Sequence, residues 1–433
     1  MNAIKKLPPY IFYFTLIYLP ISVLLANFIG SLFNSLELMK ALKDIIPVIG
    51  LGILFLCNKN VINKLKNKLF AIIAIYFSLT ILLIVLRDNS RSSEILGLVY
   101  NLRFLTIFIF GFLLTIYYYS PSLIKTTFKV VMCMGISVAS FAIIQVLLLP
   151  DSALGLVGYS KETGSIPVFY ISDITKTTER AFSTLKDPNS LGSYLIIILC
   201  LTVYARSFYK KMSTKINILL VSIVLCAIYL TYSRSAWLGS LVAIFSLIIL
   251  NPRCVAYIRK NKKRIAGIAV SLVLVMAALF VSLSSNHKFN NLIFHVGDNA
   301  PTTSNSQRVS SMSKTIKMIF ENPLGYGPGS AGPTSLKGNN PLLPENYYLQ
   351  IAHETGIIGL ILFMAICLIV LLELLEMKDE RIEAKILIAA FIGLGFTNLF
   401  VHIWANEAVA YTWWALAGLI IGLKYRNFKP NTD

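Results

Sequence analysis

Four stretches of this 433-residue chain place polar residues of reactive types among long apolar runs. The first, RAFSTLKDPNSLGSYL, runs from Arg180 to Leu195 and sets Arg180 and Asn189 on either side of Asp187-Pro188. Asp187 and Pro188 also read as an ordinary helix start, with the aspartate as cap and the proline at the first helical position. The two readings coexist, because a helix N-terminus attracts anions. The second, LTYSRSAWLGS, puts Arg234 between two apolar runs. Such an arginine either faces a water-filled cavity or snorkels its charge to the interface. The third is Arg308 followed by MSKTIKMIFENPLGYGPGS. Helical periodicity over 308–320 gathers Val309, Met312, Ile316 and Ile319 on one side, as in a short amphipathic helix lying along a membrane; a plain surface loop is the alternative. Gly325, Gly327 and Gly329 then permit close backbone approach to a ligand. The fourth, PENYYLQIAHETGIIGL, contains Glu345, Asn346, His353 and Glu354. A carboxylate or imidazole there can take a proton from an attacking hydroxyl, although Glu345 beside Pro344 equally suits a helix N-terminus.

These residues need a frame, and composition says which. The chain is 56% hydrophobic and 14% charged, with a mean hydropathy of +0.72, whereas a soluble domain carries about 25% charged residues. Lipid is therefore the solvent to assume. A membrane helix needs about 20 mostly apolar residues. Spans are expected at 9–29, 42–57, 69–86, 96–119, 126–149, 189–206, 216–232, 235–251, 265–284, 356–375, 385–404 and 408–424. The expectation is an all-α polytopic membrane protein of about 12 transmembrane helices, a single integral membrane domain over 1–433. The span at 42–57 is short and contains Pro47, and the pair 216–232 and 235–251 needs a tight turn at Tyr232–Arg234. The first run follows Lys5 and Lys6 without a convincing cleavage site and reads as a retained span.

Lysine and arginine gather in the segments 58–68, 206–215 and 252–264 and in the tail. Basic excess marks the cytoplasmic face, and with twelve spans every basic connection falls on one side. Both termini are then cytoplasmic. This placement accounts for most of the +19 net charge without nucleic acid. The opposite face carries two long loops, 150–188 and 285–355, the second rich in Gly, Pro, Ser and Asn and containing the amphipathic helix. Long connections tend to be functional. The six cysteines form no CxxC pair, five of them lie in apolar stretches, and they read as small apolar core residues. No two of the four histidines have metal-ligand spacing, so neither a metal nor a cofactor is expected. Arg103 lies inside a span, as a functional group or as half of an ion pair with an unidentified partner. His402, near Trp404 and Glu407, reads as interfacial anchoring.

All four constellations converge on the extracytoplasmic face. Arginine forks suit phosphate oxygens, and a proton acceptor suits an acceptor hydroxyl. That set fits a reaction on a lipid-linked diphosphate at the outer surface of a membrane.

The four motifs, in this order and on this frame, resemble the O-antigen ligase and O-antigen polymerase superfamily over roughly residues 175–365; the remaining spans match only in hydropathy. The resemblance implies a metal-independent, inverting glycosyltransferase at the outer face of the bacterial cytoplasmic membrane. It implies a donor glycan on undecaprenyl diphosphate and, as acceptor, a lipid-linked repeat unit, a lipid A-core sugar or protein. It also leaves room for a polysaccharide chain-length regulator as a partner beside the membrane lipids. By the same resemblance Arg234 and Arg308 hold the diphosphate, and Arg180 does the same from before the Pro-Asn motif. Where ligases carry a His-Asn-type motif, this chain has Glu345-Asn346. Glu345 is thus the expected base. His353 follows eight positions later, about 80° around a helix, and replaces the missing histidine only if the loop is rearranged. The polyprenyl chain is expected in a groove between spans. Two other readings compete: a flippase or exporter of lipid-linked oligosaccharide, which should show mid-membrane polar residues and related halves, and a scaffold without chemistry.

Overall fold

The computed structural model describes residues 4–58, 60–87, 91–161, 163–171, 178–262, 304–337 and 341–426. The expected span at 265–284, together with His287 and His295, lies outside them. The described chain is helical: α1 (Leu7–Tyr18), α2 (Ser22–Phe33), α3 (Leu36–Cys57), α4 (Lys68–Leu86), α5 (Arg91–Tyr118), α6 (Pro121–Leu148), α7 (Pro188–Val203), α8 (Thr214–Leu230), α9 (Arg234–Ile249), α10 (Pro252–Lys260), α11 (Ser304–Glu321), α12 (Tyr347–Met377), α13 (Ile382–Thr397) and α14 (Glu407–Tyr425). Among the described residues, six helical stretches are long and apolar enough to cross a membrane, or seven if the bent pair α9–α10 counts as one; α7 and α8 are shorter apolar helices. The architecture is all-α and polytopic. Every other expected span falls on a helix, but a total of twelve crossings is not established.

Local chemistry starts these helices where it should. The side chains of Asn67, Ser120, Asp187, Ser213, Ser233, Asn251, Asn346 and Asn406 each accept a backbone N–H in the first turn of the helix they precede. Pro121, Pro188 and Pro252 occupy the first helical position, where the missing N–H costs nothing.

Packing sorts the helices into a centre and a lipid-facing ring. From Ser190 to Thr202 every residue of α7 is buried, as is α14 from Ala408 to Gly422. Outer helices expose large apolar side chains instead, such as Leu82 and Val85 on α4, Leu241 and Phe245 on α9, and Ile361 and Leu368 on α12. Helices α5 and α14 lie backbone to backbone. A Cβ on Gly418 would sit 2.1 Å from the Phe108 carbonyl oxygen, and one on Gly422 would sit 2.5 Å from that of Phe112. Small residues allow such approach where lipid supplies no hydrophobic drive between helices. Gly239 and Gly393 do the same between α9 and α13.

Three expectations need correction. Helix α3 starts at Leu36, well before 42, because its first turns carry Glu37 and Lys40, paired at 3.4 Å, which hydropathy alone discounts. Helix α12 starts at Tyr347, ahead of 356, and Gly356 at φ 72° interrupts it. Helix α13 stops at Thr397, so His402 belongs to a connection, not to a span. Of the cysteines, only Cys200 and Cys367 are buried, while Cys133 and Cys226 are exposed on outward helix surfaces.

The glycine run also packs differently from expectation. Gly325, Gly327 and Gly329 are buried with φ of 88°, 93° and 80°. Their close approaches are to the chain itself: Gly327 N–H donates to Glu354 O at 2.9 Å, and a Cβ on Gly329 would lie 2.0 Å from the Ser93 carbonyl oxygen. Gly329→Ala is expected to cost about 2 kcal/mol or more through overpacking and backbone strain. Gly52→Ala, which meets nothing within 4 Å, should be neutral or slightly stabilising. Apparent melting temperatures of the two variants in detergent test this; equal shifts would contradict the packing described.

Candidate functional site

The connections and helix starts at one end of the bundle are hydrogen-bonded to one another. Gln145 of α6 begins the chain of contacts. Its Oε1 accepts the N–H groups of Phe182 and Ser183 at 3.2 and 2.7 Å, and its Nε2 donates to Glu179 at 2.8 Å. Ala181 N–H donates to Leu230 O at 2.8 Å. Arg180, held between these tethers, donates through Nε to Thr231 O at 2.9 Å and through Nη2 to Asn189 Oδ1 at 3.3 Å. The sequence-predicted Arg180 and Asn189 therefore meet each other, and Arg180 meets the turn that leads to Arg234. Thr397 Oγ1 of α13 donates to Ser235 O at 3.3 Å, joining the end of α13 to the start of α9.

The second half of the site hangs on the connection between α13 and α14. Tyr347 N–H donates to Asn398 O at 3.1 Å, and Asn346 Nδ2 donates to Leu399 O at 2.9 Å. Asn398 Oδ1 accepts Trp404 N–H at 3.0 Å. Asn406 Nδ2 donates to Ser190 Oγ at 2.8 Å, and Ser190 Oγ donates to Asp187 at 2.7 Å. The connection 398–406 thus bridges the α12 start to the α7 start. Asn346, with one amide atom capping α12 and the other bonded to Leu399, is engaged in this frame.

The charged groups sit on that frame. Arg308 Nε lies 2.6 Å from Glu345 Oε2, each side chain about one-third exposed. Arg234 lies within electrostatic reach of Arg308. Glu345 and Tyr232 both hold φ of 48°, and Ser183 holds 55°. Left-handed backbone at a non-glycine residue costs on the order of 1–3 kcal/mol and gathers where surroundings over-determine it. Here those residues adjoin Arg180, Arg234 and Asn346.

His353 stands apart from these charges by burial. It is 2% exposed, shares a 3.1 Å hydrogen bond with Ser330 through Nδ1, and stacks on Tyr326 at 4.5 Å. Its neighbour Glu354 is fully buried and accepts Asn101 Nδ2 at 2.6 Å. His402, read from the sequence as interfacial anchoring, lies within electrostatic reach of Asp187, Lys186 and Arg308. Burial pushes its imidazole down to about 4; Asp187 opposes the shift, and Lys186 and Arg308 add to it. Its Nδ1 is buried with no hydrogen-bond partner among the described residues. Lone histidines in a sequence carry no signal for such a position.

On α11 the expected apolar residues share one side of the helix, and burial divides them. Ile319 is buried, but Val309 and Ile316 are 66% and 42% exposed, joined by Phe320 at 77%. These side chains share one arc of about 100°; Ile319 at its edge is buried, and the rest of the face points outward.

Arg103 has found its partners. It lies 2.9 Å from Glu407 and 3.9 Å from Asp44, and Lys43 lies 3.3 Å from Glu407. It also donates to Ala405 O and stacks 3.8 Å over the Tyr100 ring. Glu407 is therefore the ion-pair partner that the sequence left unidentified for Arg103. This cluster fixes α3, α5 and α14 beneath the connection that carries His402. Breaking a buried pair from one side costs about 3–5 kcal/mol. Arg103→Met should lower the apparent melting temperature sharply, and adding Glu407→Leu should restore at least half of the loss. Additive losses in the double variant would contradict this coupling.

Residues 218–364 match the family model described as O-antigen ligase, a stretch that includes Arg234, Arg308, Glu345 and His353 but not Arg180, Asn189 or His402. A curated O-antigen polymerase from Salmonella muenchen is 27% identical over 233 residues, covering 52% of this chain and 54% of that protein. The chain thus spans about half the length of the curated relative it matches. With four motifs in order, an all-α polytopic frame and these two matches, the chain is similar over its second half to O-antigen ligases and to an O-antigen polymerase.

Proposed function

We propose that the protein is a glycosyltransferase of O-antigen or related surface-polysaccharide assembly, moving a glycan from undecaprenyl diphosphate to a sugar hydroxyl at the outer face of the bacterial cytoplasmic membrane. The observation that carries this reading is the Arg308–Glu345 pair, with Arg234 within electrostatic reach and Arg180 on the adjoining turn. Among the described residues, four cations, Lys186 included, gather with the carboxylates of Glu179, Asp187 and Glu345. Such a surplus favours an anionic ligand, and guanidinium forks match diphosphate oxygens.

In this mechanism the donor diphosphate takes Arg308 away from Glu345 and rests against Arg234, with Arg180 stiffening the turn beneath it. Glu345 is then free to accept the proton of the acceptor hydroxyl. The hydroxyl oxygen forms its bond to the anomeric carbon from the side opposite the diphosphate, and the carbon–oxygen bond to phosphate breaks. The electron pair leaves on the diphosphate, whose developing charge the arginines stabilise. Glu345 is preferred to His353 as the base because it is one-third exposed beside Arg308, while His353 is buried under Tyr326. His402 supplies a neutral hydrogen-bonding group for a sugar hydroxyl. The outward apolar side of α11 suits contact with lipid, which would hold Arg308 at headgroup depth. The basic segments support cytoplasmic termini, and the polyprenyl tail lies between spans.

The test uses purified protein in nanodiscs with an undecaprenyl diphosphate-linked repeat unit as the glycan substrate. A ladder of longer lipid-linked glycans is expected from the wild type. Arg308→Ala should reduce its rate by about 10²–10³-fold, the size of a lost charge-stabilising donor, and Glu345→Gln by about 10²–10⁴-fold. Transfer only to an added lipid A-core acceptor would make the protein a ligase. Silence with every acceptor, or full activity in both variants, would overturn the reading.

A further inference from the structure

The far end of the bundle holds a basic cavity that none of the chemistry above uses. Helix α7 starts at the charged cluster and ends at Val203; α8 starts at Thr214 and returns to the cluster at Leu230. The connection between them, with the start of α6, lines a cavity of about 590 Å³. Its walls include Lys125, Lys129, Lys210 and Lys211, together with Ser207 and Tyr209. Lys129 Nζ sits 4.6 Å over the Tyr209 ring, which partly fixes that side chain. Among the described residues, none of the four lysines has a carboxylate within ion-pair distance. Four like charges around one cavity repel unless an anion sits among them.

The surface beside the cavity says what kind of anion. On α8, directly beyond the cavity-lining Ile216, the side chains of Ile218 and Leu219 are 60% and 58% exposed, as is Ile216 at 50%. A charged pocket at a helix start that runs into an exposed apolar stripe on the same helix matches an amphiphile. The head of such a molecule is anionic and its tails are hydrocarbon. A free phosphate or a nucleic acid would use the lysines and leave the stripe bare. Basic pockets between transmembrane helices on the cytoplasmic side bind anionic lipid headgroups.

We propose that this cavity is a binding site for an anionic phospholipid of the leaflet opposite the charged cluster, with headgroup phosphate on Lys125, Lys129, Lys210 and Lys211 and acyl chains along α8. Four cations match a two-phosphate headgroup better than a single phosphate. The site sits where α6, α7 and α8 meet, so its occupant braces the helices that position Arg180 at the other end. The inference does not depend on the reaction proposed above.

Native mass spectrometry of the purified full chain, delipidated and then offered cardiolipin, phosphatidylglycerol or phosphatidylcholine, tests it. Retention should rank in that order. The variants Lys125→Gln/Lys129→Gln and Lys210→Gln/Lys211→Gln should each weaken cardiolipin binding, by about fivefold per lysine removed. A control, Arg253→Gln/Arg259→Gln/Lys260→Gln on α10, should leave it unchanged. Bromine-labelled acyl chains should also quench a tryptophan introduced by Leu219→Trp. Equal retention of phosphatidylcholine and cardiolipin, an equal loss in the α10 control, or preference for undecaprenyl diphosphate at this site would overturn the proposal.

Discussion

Two guanidinium groups, Arg234 and Arg308, are held within electrostatic reach of one another, with Glu345 ion-paired to one of them. Like charges at that range repel, and the frame around them has to supply what they cost. The pair with Glu345 meets part of it. The rest comes from how firmly the surrounding connections are fixed, since arginines on loose loops would swing apart into solvent. The site is therefore organised as a held tension between cations, and the diphosphate of the proposed donor is the ligand that would relieve it.

The frame is built from side-chain amides buried at helix ends. Gln145 pins the segment that carries Arg180. Asn346, Asn398 and Asn406 tie α12, α13, α14 and α7 into one surface. Such bonds are strong where water is excluded, because the alternative is an unpaired polar group in an apolar interior. Beneath them the Arg103–Glu407–Lys43–Asp44 cluster locks three helices together. The two polar layers divide the labour. The deeper one is closed by its own pairs, and among the described residues the upper one carries more cations than carboxylates.

Much of this was legible in the sequence, for identifiable reasons. Apolar runs long enough for a bilayer announce helices, and Asp187-Pro188 marks a helix start because caps are local chemistry. Arg234 at such a start in an otherwise apolar region draws notice by type and place alone. What stayed hidden is long-range. Nothing local pairs Arg308 with Glu345, or Arg103 with Glu407 and Asp44. The same blindness cut α3 short, since Glu37 and Lys40 in its first turns look polar until their pairing is known. The stripe on α11 was seen as one face, but periodicity does not say whether an apolar side meets protein or lipid, and Val309 and Ile316 point outward. The glycines after Asn322 were legible as close-approach positions, yet what they approach is the chain's own backbone.

The central claim is that Glu345 and the donor diphosphate compete for Arg308. Binding of undecaprenyl diphosphate to wild type, Glu345→Gln and Arg308→Ala in nanodiscs measures that competition directly. Removing the competing carboxylate should tighten binding in Glu345→Gln by roughly fivefold, the equivalent of about 1 kcal/mol for a part-exposed pair. Arg308→Ala should weaken binding. Affinity unchanged or weaker in Glu345→Gln would mean that the pair is a structural clasp, and that the diphosphate does not use Arg308.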